Sequence, residues 1–484
     1  MKKRKVLSLV SAAVAAVFVL AGFSGCSGNG EEATEGNVRY TVTEKGTPEQ
    51  YGSLSILGLE ENEMPITGFI GPQDLYQTKT GYNLPSTITD SVYEKLSDAG
   101  VNLIIETKHD FADITEGSAA DRALKMGEKY GIQYILRDTK SSNVESADPN
   151  QAFNASAETI AQRMEDLYSR YPAISGLYVR DEPPAILFDK VGEATKAIQQ
   201  AAETVGKDYV YYANLFPNTS GAQLSGDPQN PITYTEYIDE YCEKTDPIFL
   251  MYDLYPFEGL EGTISGAWFS TLAQYRAKAE ELNVPFWLWL QAGGEWPDAL
   301  SKRMVTESEL LWSINTALCM GAKGLGYFPL VMPPEYLTWN GGIQNSYNAG
   351  LINEYGTANP CYYYAVKAAR QLKAVDDVLM QSKNMGVMVY GETPSPVRGE
   401  YVLKEFRQLK SVSGDACLIG CFDYQGGTAL YVARNSTQEK GEVTLHFDGN
   451  YGYDIVTRGK TSFQAGKTLD LTLEAGEAIL VTLR

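Results

Sequence analysis

The residues of this chain best suited to chemistry are carboxylates, and they centre on the run Gly176-Leu177-Tyr178-Val179-Arg180-Asp181-Glu182-Pro183. Asp181 and Glu182 are adjacent acids that close an apolar stretch, and a Glu followed by Pro at such a place has no packing reason to be there. Asp253 ends a second apolar run, and Glu295 lies four residues beyond Gln291 at the end of a third. Other chemistries are poorly served. The chain has two histidines, His109 and His446, with no evident partners, which argues against a histidine metal centre or a Ser-His-Asp triad. Beyond Cys26 stand Cys242, Cys319, Cys361, Cys417 and Cys421, an odd number without CxxC spacing, so neither a zinc site nor a disulfide framework is indicated. No nucleotide or metal motif appears and no cofactor is expected. Proton transfer between carboxylates is the chemistry that remains.

Those acids need elements to hold them. From Pro65 onward, short apolar runs alternate with helical patterns, the signature of βα units around a parallel sheet. Eight strands are expected: Ile66 to Gly71, Val101 to Glu106, Ile132 to Arg137, Ile174 to Asp181, Tyr209 to Asn214, Ile248 to Asp253, Phe286 to Gln291 and Gly324 to Phe328. Helices between them carry end signals, such as Gly100 and Gly131 after the first two and the capping-box pattern Thr306-Glu307-Ser308-Glu309. Eight such units favour a closed (β/α)8 TIM barrel over an open doubly wound sheet. After a last helix from about Tyr362 to Leu379 the pattern turns to short alternating strands, among them Leu430 to Ala433, Val443 to Phe447, Leu469 to Leu473 and Ala478 to Val481. These predict a small all-β sandwich. The expected organisation is a leader over 1–25, a tether over 26–45, a barrel over 46–383 and the β module over 384–484.

In such a barrel, functional groups sit at the C-terminal ends of the strands, and side-chain alternation says which ones face inward. With Leu177 and Val179 toward the helices, strand four turns Tyr178, Arg180 and Glu182 to the axis. Strand seven, with Leu288 and Leu290 outward, turns Trp287, Trp289 and Gln291 inward. Strand two presents Glu106 and Lys108 inward if Leu103 and Ile105 face out. Strand six is apolar on both faces, but Asp253 and Tyr255 share one of them. Arg180 could instead serve structure by pairing with Glu106 or Asp253. Carboxylates and aromatic rings at a concave mouth are what cleavage of a glycosidic bond requires: one protonated acid for the leaving oxygen, one carboxylate as nucleophile or base, and ring faces for the sugar.

The strand-four run resembles the end of that strand in the clan A glycoside hydrolases, the β-galactosidase-like barrels. The likeness extends to Pro285-Phe286-Trp287-Leu288-Trp289-Leu290-Gln291, to Gly321-Ala322-Lys323-Gly324-Leu325-Gly326-Tyr327-Phe328 and to the terminal β module. The resemblance implies Glu182 as general acid/base. Two positions depart from it: Asp181 stands where the clan usually has Asn, and Gln291 where it places a nucleophilic Glu. The second carboxylate is then Asp253 or Glu295. Gln73, Glu106, Arg180, Asp181, Asn214, Tyr255, Gln291 and Tyr327 are candidate sugar-binding groups, with Trp296 and Trp339 as loop-borne sugar platforms. A glycoside hydrolase is the leading expectation. A surface glycan-binding protein on a barrel that has lost its nucleophile is the alternative.

The compartment is read from the first residues. Lys2, Lys3, Arg4 and Lys5 precede an apolar run from Val6 to Phe23 that closes on Ser24-Gly25-Cys26, which resembles the lipobox of bacterial lipoproteins, cleaved before and acylated on the Cys. The segment from Ser27 to about Asn37 is almost free of apolar residues and reads as a flexible tether. Export and a lipid anchor at Cys26, on the outer face of the cell membrane, are expected. The formal net charge is −21, which makes nucleic acid a poor partner.

Overall fold

The computed structural model describes residues 57–60, 62–77, 81, 83–142, 144–207, 209–259, 261–293, 303–333 and 349–484. Cys26, Glu295, Trp296 and Trp339 lie outside the described residues. Eight parallel strands form one sheet: β1 (Ile66–Phe69), β2 (Leu103–Glu106), β3 (Gln133–Arg137), β4 (Ile174–Arg180), β5 (Val210–Ala213), β6 (Leu250–Asp253), β7 (Phe286–Gln291) and β8 (Gly324–Phe328). Their order, β5-β4-β3-β2-β1-β8-β7-β6, is that of a barrel. A parallel bridge between Leu215 and Tyr252, with the Leu215 amide donating to the Met251 carbonyl at 3.1 Å, joins the two ends.

The α-helices among the described residues are α1 (Asp90–Asp98), α2 (Ala119–Tyr130), α3 (Ala157–Asp166), α4 (Phe188–Val205), α5 (Tyr234–Thr245), α6 (Trp268–Leu282), α7 (Glu307–Cys319) and α8 (Pro360–Met380). Their ends follow local chemistry. Thr233 with Glu236, and Thr306 with Glu309, form reciprocal capping boxes that satisfy amides left over at the starts of α5 and α7. Gly131 ends α2 in the left-handed conformation that a side chain would resist.

Two apolar layers fill the barrel. Leu177, Val179, Tyr211, Ala213, Leu288 and Leu290 belong to the layer between strands and helices. The interior is a separate cluster that includes Phe69, Leu103, Ile105, Ile135, Tyr178, Tyr212, Met251, Trp287 and Trp289. Room for the two tryptophans comes from strand β8. A Cβ on Gly324 would lie 2.5 Å from the Trp287 ring, and one on Gly326 would lie 2.4 Å from Trp289, distances that real atoms do not tolerate.

The C-terminal β module is one antiparallel sheet of seven strands: β9 (Ser382–Tyr390), β10 (Leu409–Gly414), β11 (Cys417–Tyr424), β12 (Gly427–Arg434), β13 (Gly441–Thr457), β14 (Lys460–Leu473) and β15 (Ala478–Leu483). It has a core of its own around Phe406, Leu430, Leu445 and Tyr453. Its other face joins the barrel through α7. Trp312 donates to Asn435 Oδ1 at 2.9 Å, Asn315 donates to the Gly476 carbonyl at 2.8 Å, and Tyr431 donates to Asn315 Oδ1 at 2.7 Å. All five described cysteines are buried, and none is in a disulfide.

Candidate active site at the barrel mouth

The mouth is built by a departure from regular strand geometry. In β4, Tyr178 pairs with Tyr212 but Arg180 pairs with Ala213, so Val179 is an extra residue, a bulge that shifts alternation by one. Ala213 faces the helices, and Arg180, now opposite it, does not enter the barrel. Arg180 donates instead to the carbonyls of Val144 and Glu145 at 2.6 and 2.7 Å, tying down the loop after β3. The expectation of an inward Arg180 therefore fails because of the bulge, and its partners are neither Glu106 nor Asp253.

The bulge gives the inward seat to Asp181. The Asn214 amide donates to the Arg180 carbonyl and the Glu182 amide to the Asn214 carbonyl, each at 3.0 Å, so Asp181 stands opposite Asn214. Regular alternation would then turn Glu182 away. Its backbone is left-handed, with φ 42°, a conformation costly for a residue with a side chain, and a side-chain hydrogen bond joins it to Asp253 across the mouth. Strain at this one residue brings consecutive acids into one cavity. The Pro183 carbonyl beyond it accepts from Tyr237 of α5 at 2.9 Å, which holds the turn.

Asn214 is the hub. Its Nδ2 donates to Asp181 Oδ1 at 3.2 Å and to Asp253 Oδ1 at 3.1 Å. Its Oδ1 accepts from Trp289 Nε1 at 3.1 Å, and the same indole donates to the Tyr212 hydroxyl at 2.9 Å. The indole N–H requires an acceptor in front of it, so the amide must present oxygen to Trp289 and nitrogen to the two acids.

The electrostatics follow from this crowding. Burial, with the neighbouring charge of Asp181, pushes the Asp253 carboxyl up to about 7, against hydrogen bonds from Asn214 and Glu182 that favour its ionised form. Two carboxyls can hydrogen-bond only with a proton between them, so Glu182 and Asp253 titrate as a pair. Asp181 is exposed to solvent yet sits deep enough in the concavity for burial to raise its carboxyl. The Asn214 hydrogen bond and the charges of Arg180 and Lys108 oppose that rise, and water at the rim blunts all of these effects.

Other candidates are placed differently from one another. Tyr255 stacks on Phe328 with ring centroids 5.4 Å apart, beside the interior cluster. Gln73, on the loop after β1, donates to the Gly71 carbonyl at 2.8 Å. Glu106 does not face inward, because Leu103 and Ile105 occupy the interior and give it the opposite face. It is 1% exposed behind Gly71 and accepts from the amides of Lys108 and His109 at 2.7 and 3.1 Å. Tyr327 is likewise turned to the helix layer, since Gly324 and Gly326 hold the inward positions of β8.

Gln291 does point inward, but its amide is fully engaged. Oε1 accepts from the Phe257 amide at 3.1 Å, while Nε2 donates to the carbonyls of Phe257 and Arg303 at 3.3 and 3.1 Å. A carboxylate there would set lone pairs against two carbonyls, so the position demands an amide. Sequence reading passed over Tyr212 as a functional residue, although alternation places it on the face of Asn214.

The strands and helices define a (β/α)8 barrel with acids at its mouth and a C-terminal β module. The structure aligns over 88% of this chain and 99% of the other with a family 42 β-galactosidase from G. stearothermophilus, TM-score 0.52 at 8% identity, a likeness of fold. A β-galactosidase from Marinomonas ef1 aligns at TM-score 0.46 and 12% identity over 67% of this chain, which spans 63% of that enzyme. A family 39 glycoside hydrolase from Bacteroides cellulosilyticus WH2 aligns at TM-score 0.42 and 11% identity, over 88% of this chain and 82% of the other. No family model and no curated protein matches the sequence. Among the described residues no cluster of His, Cys, Asp and Glu is suited to a metal ion.

Two outcomes test the construction of the mouth. Glu182→Gly and Glu182→Ala remove the same carboxyl, but only glycine relaxes the left-handed backbone, so Gly should be the more stable by about 1 kcal/mol in urea unfolding. Equal stabilities would remove the argument from strain. Gln291→Glu should lose about 1–3 kcal/mol by the same measurement, because two buried carbonyls lose their donor. A Gln291→Glu protein as stable as the parent would show that the amide is not required.

Proposed function

We propose that this chain is a glycoside hydrolase that cleaves O-glycosidic bonds, with Glu182 as general acid and then general base, working from the outer face of the cell membrane through a lipid on Cys26. One observation carries the catalytic reading: Glu182 and Asp253 meet at the C-terminal mouth of the barrel, where such barrels do chemistry, and burial beside Asp181 pushes the Asp253 carboxyl up to about 7. A carboxyl that keeps its proton near neutral pH is what a leaving glycosidic oxygen needs, and raised carboxyls of this kind are the mark of acid catalysis at working pH. A binding site for neutral sugar has no use for a strained, proton-sharing pair, which favours catalysis over glycan binding alone. Asp253 is the second carboxylate of the reading. Its part is to keep the shared proton within reach of Glu182.

Glu182→Gln should lower turnover of a responsive glycan by at least about a hundredfold with little change in binding, measured as reducing sugar released and as affinity. Unchanged turnover would refute the assignment. The sign of the pH effect is also set. The pair holds its proton below about 7 and loses it above, so the parent's activity should fall on the basic side of 7. Asp253→Asn removes the neighbouring acid that retains the proton and should move that limb to lower pH. For the anchor, Cys26→Ser should shift the expressed protein from the membrane to the soluble fraction; continued membrane association would count against lipidation.

A further inference from the structure

We infer that Trp289, which lies too deep in the barrel to touch a sugar, is a positioning residue of the mouth: its indole N–H decides which end of the Asn214 amide faces Asp181 and Asp253. This deepens the glycosidase reading of the same mouth and, for the effect on turnover, rests on it.

The indole is held so that its N–H cannot turn away. Trp289 stands opposite Asp253 in the pairing of β7 with β6 and is 1% exposed. On one side Gly326 leaves the space the ring fills, and on another the Phe69 ring meets it edge-on, with centroids 5.2 Å apart. The N–H divides between the Tyr212 hydroxyl at 2.9 Å and Asn214 Oδ1 at 3.1 Å. An indole nitrogen donates and never accepts, so an Asn214 amide turned end for end would set its own N–H groups against that N–H. Close packing denies the ring the movement that would relieve the clash.

The orientation matters because the two ends of an amide act oppositely on an acid. With Nδ2 toward the mouth, Asn214 donates to Asp181 at 3.2 Å and to Asp253 at 3.1 Å and favours the ionised form of each. With Oδ1 toward the mouth it would accept from a carboxyl that has kept its proton and repel one that has lost it. Trp289 admits only the first arrangement. Removing the N–H opens the second to protonated acids alone, so the mouth should then hold its proton to higher pH. Loss of packing has the opposite sign, since water admitted beside a buried carboxyl weakens the burial that raises it. The direction of the change therefore separates a role through Asn214 from the filling of space.

The other groups around the acids do not share this role. Asp253 feels the charge of Asp181 and the hydrogen bond of Glu182 from the end of β4, and has near it Tyr212 of β5, Tyr234 and Tyr237 of α5, and its neighbour Tyr252. Burial raises all four hydroxyls, so none ionises where the carboxyls do. Asp181 has Arg180, Lys108 and the Tyr178 hydroxyl about it, and Tyr178 is raised by burial in the same way.

The test replaces the Trp289 indole in the full chain by benzothiophene, which keeps the bicyclic shape and lacks the N–H, with Trp289→Phe as the second variant should the first not fold. Two readouts are taken: the pH profile of kcat/KM on a responsive glycan, and the carbon-13 carboxyl resonances of labelled aspartate, assigned with Asp253→Asn, which need no turnover. The basic limb and the Asp253 titration should both move up by about one pH unit, with KM little changed. In an Asn214→Ala background the same replacement should bring no further rise, because the amide through which it acts is gone. An unmoved titration, a downward shift, or an equal rise in the Asn214→Ala background overturns the inference. If the folded parent releases sugar from no member of a broad glycan panel, the glycosidase reading falls, and the aspartate titration alone still decides the role of Trp289.

Discussion

The acidic mouth of the barrel depends on one irregularity in one strand. Without the extra residue at Val179, Arg180 would occupy the inward seat of β4 and Asp181 would be packed toward the helices. The bulge exchanges them, and the left-handed backbone of Glu182 then holds the next acid in the same cavity instead of letting it alternate away. Both features cost stability locally. They are held by surroundings that allow little relaxation: Arg180 is tied to the loop after β3, Pro183 to Tyr237, and the Glu182 and Asn214 backbones to each other.

The same placement creates the proton chemistry. Three acids around one amide cannot all ionise in a partly buried site, and the flanking charges decide which does so first. Burial raises the Asp181 carboxyl against the opposing charges of Arg180 and Lys108, and the Asp181 charge in turn adds to the burial that raises Asp253. Asn214 bridges the two sides only because Trp289 fixes the orientation of its amide. The barrel interior is therefore more than filling. The glycines of β8 that admit Trp289 also position the group that organises the acids.

Much of the fold was legible in the sequence. Alternation of apolar runs with capped helices marked eight βα units, and the capping box at Thr306 and the stop at Gly131 fall where their side-chain chemistry requires. Leu177 and Val179, and Leu288 and Leu290, take the helix-facing positions that a period of two assigns them. The assignments that failed were those where a choice of face was nearly symmetrical or the period was broken. Strand β2 is apolar on both faces, so Glu106 was turned the wrong way. Tyr327 was read by its hydroxyl and not by the glycines beside it, which are the stronger clue because only they leave room for the tryptophans.

By itself the sequence determined which chemistry was available. Two histidines and cysteines without CxxC spacing left carboxylates as the chemistry to expect, and the adjacent Asp181 and Glu182 before two prolines marked where to expect it. Residue types and hydrophobic periods are local properties, so they survive in one dimension. Tertiary structure alone decided how the acids meet. The meeting of Glu182 with Asp253, the amide bridge at Asn214 and the locking of Gln291 each join residues from different parts of the chain. The first two depend on a single-residue shift in pairing that no local pattern announces, since a bulge preserves composition and changes only what lies opposite.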